Sequence, residues 1–154
     1  MLKNILLLIA ILGLTNYSFG QDCNLFGDSG GQVNITGTIK LPGISKNDIY
    51  NKIATWGSVK ISGMNGPYVT DREAGIIKGI MKVAYVYKKG FRNVYYNLVL
   101  HASNEEFSYT FNNFTMNTQP MEIYLNHKND QYYSISFNDI CQKVQALINE
   151  LEKL

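Results

Sequence analysis

The residues best suited to acid–base chemistry or zinc binding in this chain are two histidines, His101 and His127. A zinc site normally has three or four His, Cys or carboxylate ligands, and the sequence contains no such cluster. The G-x-S-x-G, P-loop and H-E-x-x-H patterns are missing as well. His101 ends a strand-like run, where a solvent-facing side chain is the simpler interpretation. We therefore expect no catalytic residue, no metal and no cofactor.

Asp71 and Glu73, in the stretch TDREAG, are the closest approach to an acidic site. Two carboxylates can act as an acid–base pair or bind calcium, but calcium takes six or more oxygen ligands, usually from a longer acidic loop. An Asp followed closely by Gly between two apolar runs is typical of a hairpin turn. The turn explains this stretch with fewer assumptions.

The two cysteines, Cys23 and Cys141, lie near opposite ends of the chain. In an oxidising compartment they would form a disulfide that closes a long loop, for which the chain-entropy model gives about 4 to 5 kcal/mol. Two alternatives remain open. One is a lipid on Cys23, although Asp22 before it does not fit the small residue that a lipobox requires. The other is a pair of free thiols.

Residues 1–20 have the composition of a signal peptide. Lys3 precedes an apolar run from Ile5 to Leu14, and Ser18 and Gly20 follow at the spacing that signal peptidase prefers. A membrane anchor is the alternative, but this run is shorter than the about 20 apolar residues of a spanning helix. We expect a periplasmic or secreted protein, with envelope association left open. It has one domain, residues 21–154, and no transmembrane segment after cleavage.

The charge of the exported chain is nearly balanced. The whole chain has 14 Lys and Arg against 12 Asp and Glu, and loss of residues 1–20 removes only Lys3, which leaves a net charge of +1. A domain that binds nucleic acid normally has a basic excess that neutralises phosphates. We therefore expect no nucleic-acid partner.

A strand and a helix are predicted at the start of the domain. Residues 33–41 alternate apolar and polar side chains, which indicates a half-buried strand. In the following stretch, ISKNDIYNKIATWGS, Ser45 is the predicted N-cap, and Ile44 can close on Ile49 as a hydrophobic staple. Ile49, Ile53 and Trp56 recur at helical spacing and predict a stripe that packs on a sheet. Gly57 is the predicted end of the helix.

The rest of the chain predicts strands and a closing helix. Antiparallel strands are expected at 68–70, 76–87, 94–102 and 107–114, with turns at 71–75 and 89–90. In FNDICQKVQALINELEKL, Asn138 or Asp139 would cap a helix with one apolar face: Ile140, Val144, Leu147, Ile148 and Leu151. The order predicts an α+β domain with two helices packed on one face of an antiparallel sheet.

The segments GISKNDIYNKIATW and DREAGIIKGI, followed by tyrosine-bearing strands, resemble an exported bacterial domain of unknown function with a TATA-binding-protein-like (TBP-like) fold. The resemblance covers roughly Ile39 to Phe114, whereas the Gly-rich stretch after Trp56 and residues 117–133 depart from the family pattern. It implies the TBP-like fold and no catalytic residues. The matching positions are Ser45, Asp48, Ile49, Tyr50, Trp56, Asp71, Glu73, Gly75, Ile76 and Gly79.

Alternation along the strands also predicts the two faces of the sheet. The expected core side has Ile77, Met81, Val83, Tyr85 and Tyr87 in one strand, Val94, Tyr96, Leu98 and Leu100 in the next, and Phe107, Tyr109 and Phe111 in the third. The opposite face would combine polar, basic and aromatic residues: Lys78, Ile80, Lys82, Tyr95, Asn97, His101 and Thr110.

Such a mixed face is typical of a binding surface, although an ordinary solvated sheet face is the alternative. We expect a non-catalytic binding or scaffold module of the bacterial envelope that contacts an envelope protein or a small ligand. A periplasmic hydrolase or enzyme inhibitor is the alternative function.

Overall fold

The computed structural model describes residues 33–61, 68–88, 90–116, 119–121 and 131–154. The predicted signal peptide, Cys23 and His127 lie outside the described residues. In chain order the elements are β1 (Ile35–Lys40), α1 (Lys46–Lys60), β2 (Tyr68–Asp71), β3 (Ile76–Tyr87), β4 (Gly90–Ser103), β5 (Glu106–Met116), β6 (Gln119–Pro120) and α2 (Gln131–Leu151).

The described strands form one antiparallel sheet with the order β1-β5-β4-β3-β2, and the short β6 pairs with the end of β5. Helix α1 packs on β4, β3 and β5, and α2 packs on β3. Buried side chains from both helices and from the long strands belong to one core. The predicted α+β arrangement, with two helices on one face of the sheet, is confirmed.

The start of α1 is specified locally, as predicted. Ser45 has extended backbone angles, and its Oγ accepts a hydrogen bond from the Asp48 N–H at 3.3 Å, which satisfies one of the free donors of the first turn. The negative charge of Asp48 also suits the positive end of the helix dipole. Ile44 packs against the core in which Ile49 is fully buried, so the expected staple residues are both in place.

Gly57 does not end α1, contrary to prediction. The helix continues to Lys60, and the N–H of Ile61 donates to the Gly57 carbonyl at 2.8 Å. A Cβ at Gly57 would lie 3.2 Å from Tyr68 Oη and 3.4 Å from Ile77 Cγ2. The glycine therefore allows the helix to approach the sheet closely.

A β-bulge interrupts β5 and changes which of its residues face the core. Asn97 pairs with Asn112 and Tyr95 with Thr115, so two residues of β5 lie opposite one residue of β4. Asn113, in the bulge, has a φ of 53°. As a result Phe111 before the bulge and Phe114 after it are both buried, although simple alternation places Phe114 on the other side.

Helix α2 begins earlier than predicted. Asn138 and Asp139 lie inside it rather than at its cap, because its first residue is Gln131. Ser136 and Phe137, before this polar pair, are also buried, so packing supports the helix ahead of it. Asp139 instead forms an i,i+4 ion pair with Lys143 at 2.9 Å. Cys141 consequently lies in the middle of the helix, where it is buried.

The turn from Asp71 to Gly75 has the predicted hairpin chemistry. The Asp71 carboxylate accepts the Ala74 N–H at 2.9 Å, and Gly75 adopts a φ of 78°. The Gly75 carbonyl in turn accepts the Ala102 N–H at 2.8 Å, which joins the turn to β4. A Cβ at Gly75 would lie only 2.6 Å from the Ala102 carbonyl oxygen.

We expect Gly75→Ala to lower the free energy of unfolding by about 2–4 kcal/mol, because it adds a backbone clash to an unfavourable positive φ. Gly43→Ala is the matched control. Gly43 has the same φ of 78°, but a Cβ there would meet nothing within 4 Å. It should therefore cost only about 1–2 kcal/mol. Urea unfolding measures both, and equal losses would contradict the clash.

Candidate functional site

The side of the sheet opposite the two helices carries all seven residues predicted for it, and we call it the open face. The strand register places Lys82 directly opposite Tyr95, and Ile80 opposite Asn97. The open face comprises Ile76, Lys78, Ile80 and Lys82 of β3, Tyr95, Asn97, Val99 and His101 of β4, Ser108 and Thr110 of β5, and Val69 of β2.

The central row of the open face crosses four strands. Val69 of β2 lies opposite Lys78, Lys78 opposite Val99, and Val99 opposite Thr110 of β5. Directly opposed residues have Cβ atoms about 5 Å apart, so the Lys78 stem lies between two valines. The two neighbouring strands thus place apolar side chains on both sides of Lys78.

His101 lies far from Lys82 and Tyr95, two other residues that were predicted for the open face. It lies opposite Ile76 and Ser108, six positions along β3 from Lys82. At about 3.4 Å per residue that separation is about 20 Å. The predicted residues therefore form an extended surface, with Lys82 and Tyr95 at one end and His101 at the other.

A shallow depression of about 220 Å³ lies in the open face. Gly79 and Leu98 form part of its lining, together with Val69, Lys78 and Val99 of the central row. Val69, at its rim, is 47% exposed. The remaining lining residues are Lys78, Ile80, Asn97 and Val99.

The depression has cationic and apolar character. The residues directly opposite Lys78, or two positions from it along β3, on the open face are all apolar: Ile76, Ile80, Val69 and Val99. By contrast, Lys40 at the edge of the same face forms an ion pair with Glu106 on the neighbouring strand. The carboxylate of Asp71 lies on the same face, diagonally from Lys78, and accepts the Ala74 N–H at 2.9 Å.

Sequence reasoning missed Val69 and Val99. Val99 was available from the alternation of β4, since it lies between Asn97 and His101 on the same side. Val69 was not, because the four residues of β2 do not indicate which strand they pair with. Its register opposite Lys78 becomes clear only in the assembled sheet.

On the helix side, a groove of about 610 Å³ runs along α1 beside the end of α2. Next to it, the Glu150 carboxylate accepts hydrogen bonds from Lys60 Nζ at 3.0 Å and from Trp56 Nε1 at 3.4 Å. The hydrogen bond from Lys60 is the main cause that holds the pKa of Glu150 below its ordinary value of 4.5, although burial opposes it. These contacts join α1 to α2, which is a structural role for Glu150.

The lowered pKa of Glu150 predicts a pH dependence of stability. Above about pH 4.5 the carboxylate is charged in the folded and unfolded chain, so its stabilising contribution is complete. That contribution is lost as the pH falls through the lower pKa of the folded state. Glu150→Gln should remove this part of the acid dependence, and Lys60→Met should remove most of it. Urea midpoints between about pH 5 and about pH 3 measure it, and profiles parallel to wild type would contradict the assignment.

Within the ranges that the structure describes, no group of three or more His, Cys, Asp or Glu residues could hold a metal ion. In the same ranges, no helix has both the length and the apolar content needed to span a membrane.

A family model and two solved structures are similar to this domain. The family model of a domain of unknown function (DUF4468) with TBP-like fold matches residues 36–117. A TBP-like protein from Parabacteroides distasonis has a solved structure that aligns with a TM-score of 0.70 at 12% identity, over 82% of this chain and 94% of that chain. A DUF4468 family protein from Bacteroides ovatus aligns with a TM-score of 0.62 at 13% identity, over 88% of this chain and 96% of that chain.

At these identities the two structures establish a shared fold alone. No curated protein sequence matches the chain. The resemblance to a TBP-like domain, drawn from the residues between Ile39 and Phe114, is confirmed.

Proposed function

Since this chain belongs to the DUF4468 family of domains of unknown function with a TBP-like fold, we propose that it is a non-catalytic binding or scaffold module of the bacterial envelope that binds a partner on its open face. The observation that carries the proposal is the depression around Lys78, where apolar side chains from three strands surround a lysine. Exposed apolar side chains rimmed by polar groups are the usual composition of a recognition surface.

The size of the depression favours a protein partner. Its volume of about 220 Å³ is below the about 300–1,000 Å³ of typical small-molecule pockets. One large apolar side chain of a partner would fill it. Lys78 at the rim, and Lys82 four residues further along β3, would face acidic groups of the same partner. We therefore propose a protein segment with one apolar anchor and nearby carboxylates.

The double variant Lys82→Ala, Tyr95→Ala tests the open face, because these two residues lie directly opposite each other. Immobilised wild-type protein is incubated with a solubilised envelope fraction, and bound proteins are identified by mass spectrometry. We expect the double variant, and separately Lys78→Glu, to lose at least one partner by about tenfold or more, equivalent to about 1.4 kcal/mol. Lys153→Glu is the control on the helix side, and it should retain that partner.

Identical sets of partners for all variants would contradict this surface. Thermal unfolding of each variant separates lost binding from lost folding, since the altered side chains are exposed. Screening of the wild-type protein against esters, glycosides, peptides and proteases tests the alternative function. Reproducible turnover or inhibition would replace the binding module by a periplasmic hydrolase or an enzyme inhibitor.

Export is part of the same proposal, and it predicts the state of the cysteines. Cys141 is 1% exposed in α2, and a bridge to Cys23 would join the N-terminal segment to the core in an oxidising compartment. Protein isolated from the periplasm and denatured without reductant should lack residues 1–20 and contain no free thiol. Two free thiols per chain, or a lipid on Cys23 in the mass spectrum, would contradict the bridge.

A further inference from the structure

The tip of the β3–β4 hairpin carries the most exposed large apolar side chain that the structure describes. Phe91 is 80% exposed, whereas the exposed apolar residues of the open face, Val69, Tyr95 and Ile80, are between 36% and 47% exposed. A phenylalanine with this exposure at the start of a strand contributes little to the core. Its position suggests an external contact.

The hairpin extends beyond the rest of the sheet. Strand β2 pairs with β3 only as far as Gly79, and β5 pairs with β4 only from Val94 onward. Residues 84–87 and 90–93 pair with each other alone among the described strands. At about 3.4 Å per residue this two-stranded ribbon extends about 13 Å beyond the neighbouring strands, while Tyr85 within it is buried against the core. Helix α2 reaches its base, where Lys143 Nζ donates to the Ala84 carbonyl at 2.6 Å.

The tip is basic. The stretch YVYKKGFRNVYY, residues 85–96, contains Lys88, Lys89 and Arg92 and no acidic residue. Lys88 Nζ lies 5.4 Å from the centre of the Tyr87 ring, and Arg92 Cζ lies 5.7 Å from it. These cation–π contacts hold both positive charges at the Tyr87 ring. Strand alternation places Tyr87 and Arg92 on the opposite side of the ribbon from Phe91. The described part of the tip therefore has the exposed ring of Phe91 on one side of the ribbon and two cations, Lys88 and Arg92, at the Tyr87 ring.

We propose that this tip docks on a lipid bilayer that contains anionic headgroups. Phe91 enters the boundary between headgroups and acyl chains, while Lys88 and Arg92 lie against lipid phosphates. A narrow ribbon tip is too small for a stable protein interface, which buries about 800 Å² on each partner. A bilayer surface places no such requirement on area, and its negative charge complements the tip. Phe91 lies on the same side of β4 as Tyr95 but four residues beyond it, and the proposal does not rest on the proposed partner of the open face.

Flotation of the purified protein with vesicles tests the proposal. Vesicles of phosphatidylcholine with phosphatidylglycerol are compared with vesicles of phosphatidylcholine alone. We expect at least tenfold stronger binding to the anionic vesicles, and its loss in about 1 M salt, where the Debye length is about 3 Å. Lys88→Gln, Arg92→Gln should weaken binding about twentyfold, and Phe91→Ala should weaken it about tenfold.

Two controls change exposed apolar or cationic side chains elsewhere on the domain. Val59→Ala removes a side chain that is 69% exposed on α1, and Lys78→Gln, Lys82→Gln removes two cations from the open face. Both should bind vesicles like wild type. Equal binding to both vesicle types, or wild-type binding by the tip variants, would overturn the proposal. So would vesicle binding that only the open-face variant loses, or binding to polyglutamate in place of vesicles.

Discussion

The pairing of β3 with β4 is the interaction on which the rest of the domain depends. It runs without a break from the pair of Ile76 with His101 to the pair of Tyr87 with Gly90. Because side chains alternate between the two sides of a sheet, this one register decides which residues of both strands meet the helices and which form the open face. A slip of one residue would expose the core row and bury Lys78 and Lys82. Burial of the core row stabilises this register, and the register therefore also determines which residues form the open face.

The bulge at Asn113 allows β5 to place side chains in the same core both before and after it. Tyr96 of β4 contacts both Phe111 and Phe114, with ring centroids 5.8 Å and 4.9 Å apart. Without the extra residue, alternation would place one of these two phenylalanines on the open face. Asn tolerates the positive φ of the bulge better than most residues. The bulge thus removes one regular pair from the β4–β5 ladder. In return, Tyr96, Phe111 and Phe114 form an aromatic cluster under the helices.

The charged side chains on the two faces of the sheet have different surroundings. On the helix side, the Glu150 carboxylate binds Lys60 and Trp56, which links the two helices. On the open face, Lys78 lies between valines, and the β3–β4 ribbon carries its cations and Phe91 away from the body of the sheet. One register thus produces a closed core on one side and, on the other, both the depression around Lys78 and, further along the β3–β4 ribbon, Phe91.

The sequence by itself determined the local features: the Ser45 cap, the turn at Gly75, and the alternation in β3 and β4 that defines most of the open face. Each depends on residues a few positions apart. Only the tertiary structure decided the role of Gly57 against Tyr68 and Ile77, the early start of α2, the bulge in β5 and the place of Val69 beside Lys78. These features depend on contacts between segments distant in the chain, and local periodicity does not specify which segments will meet.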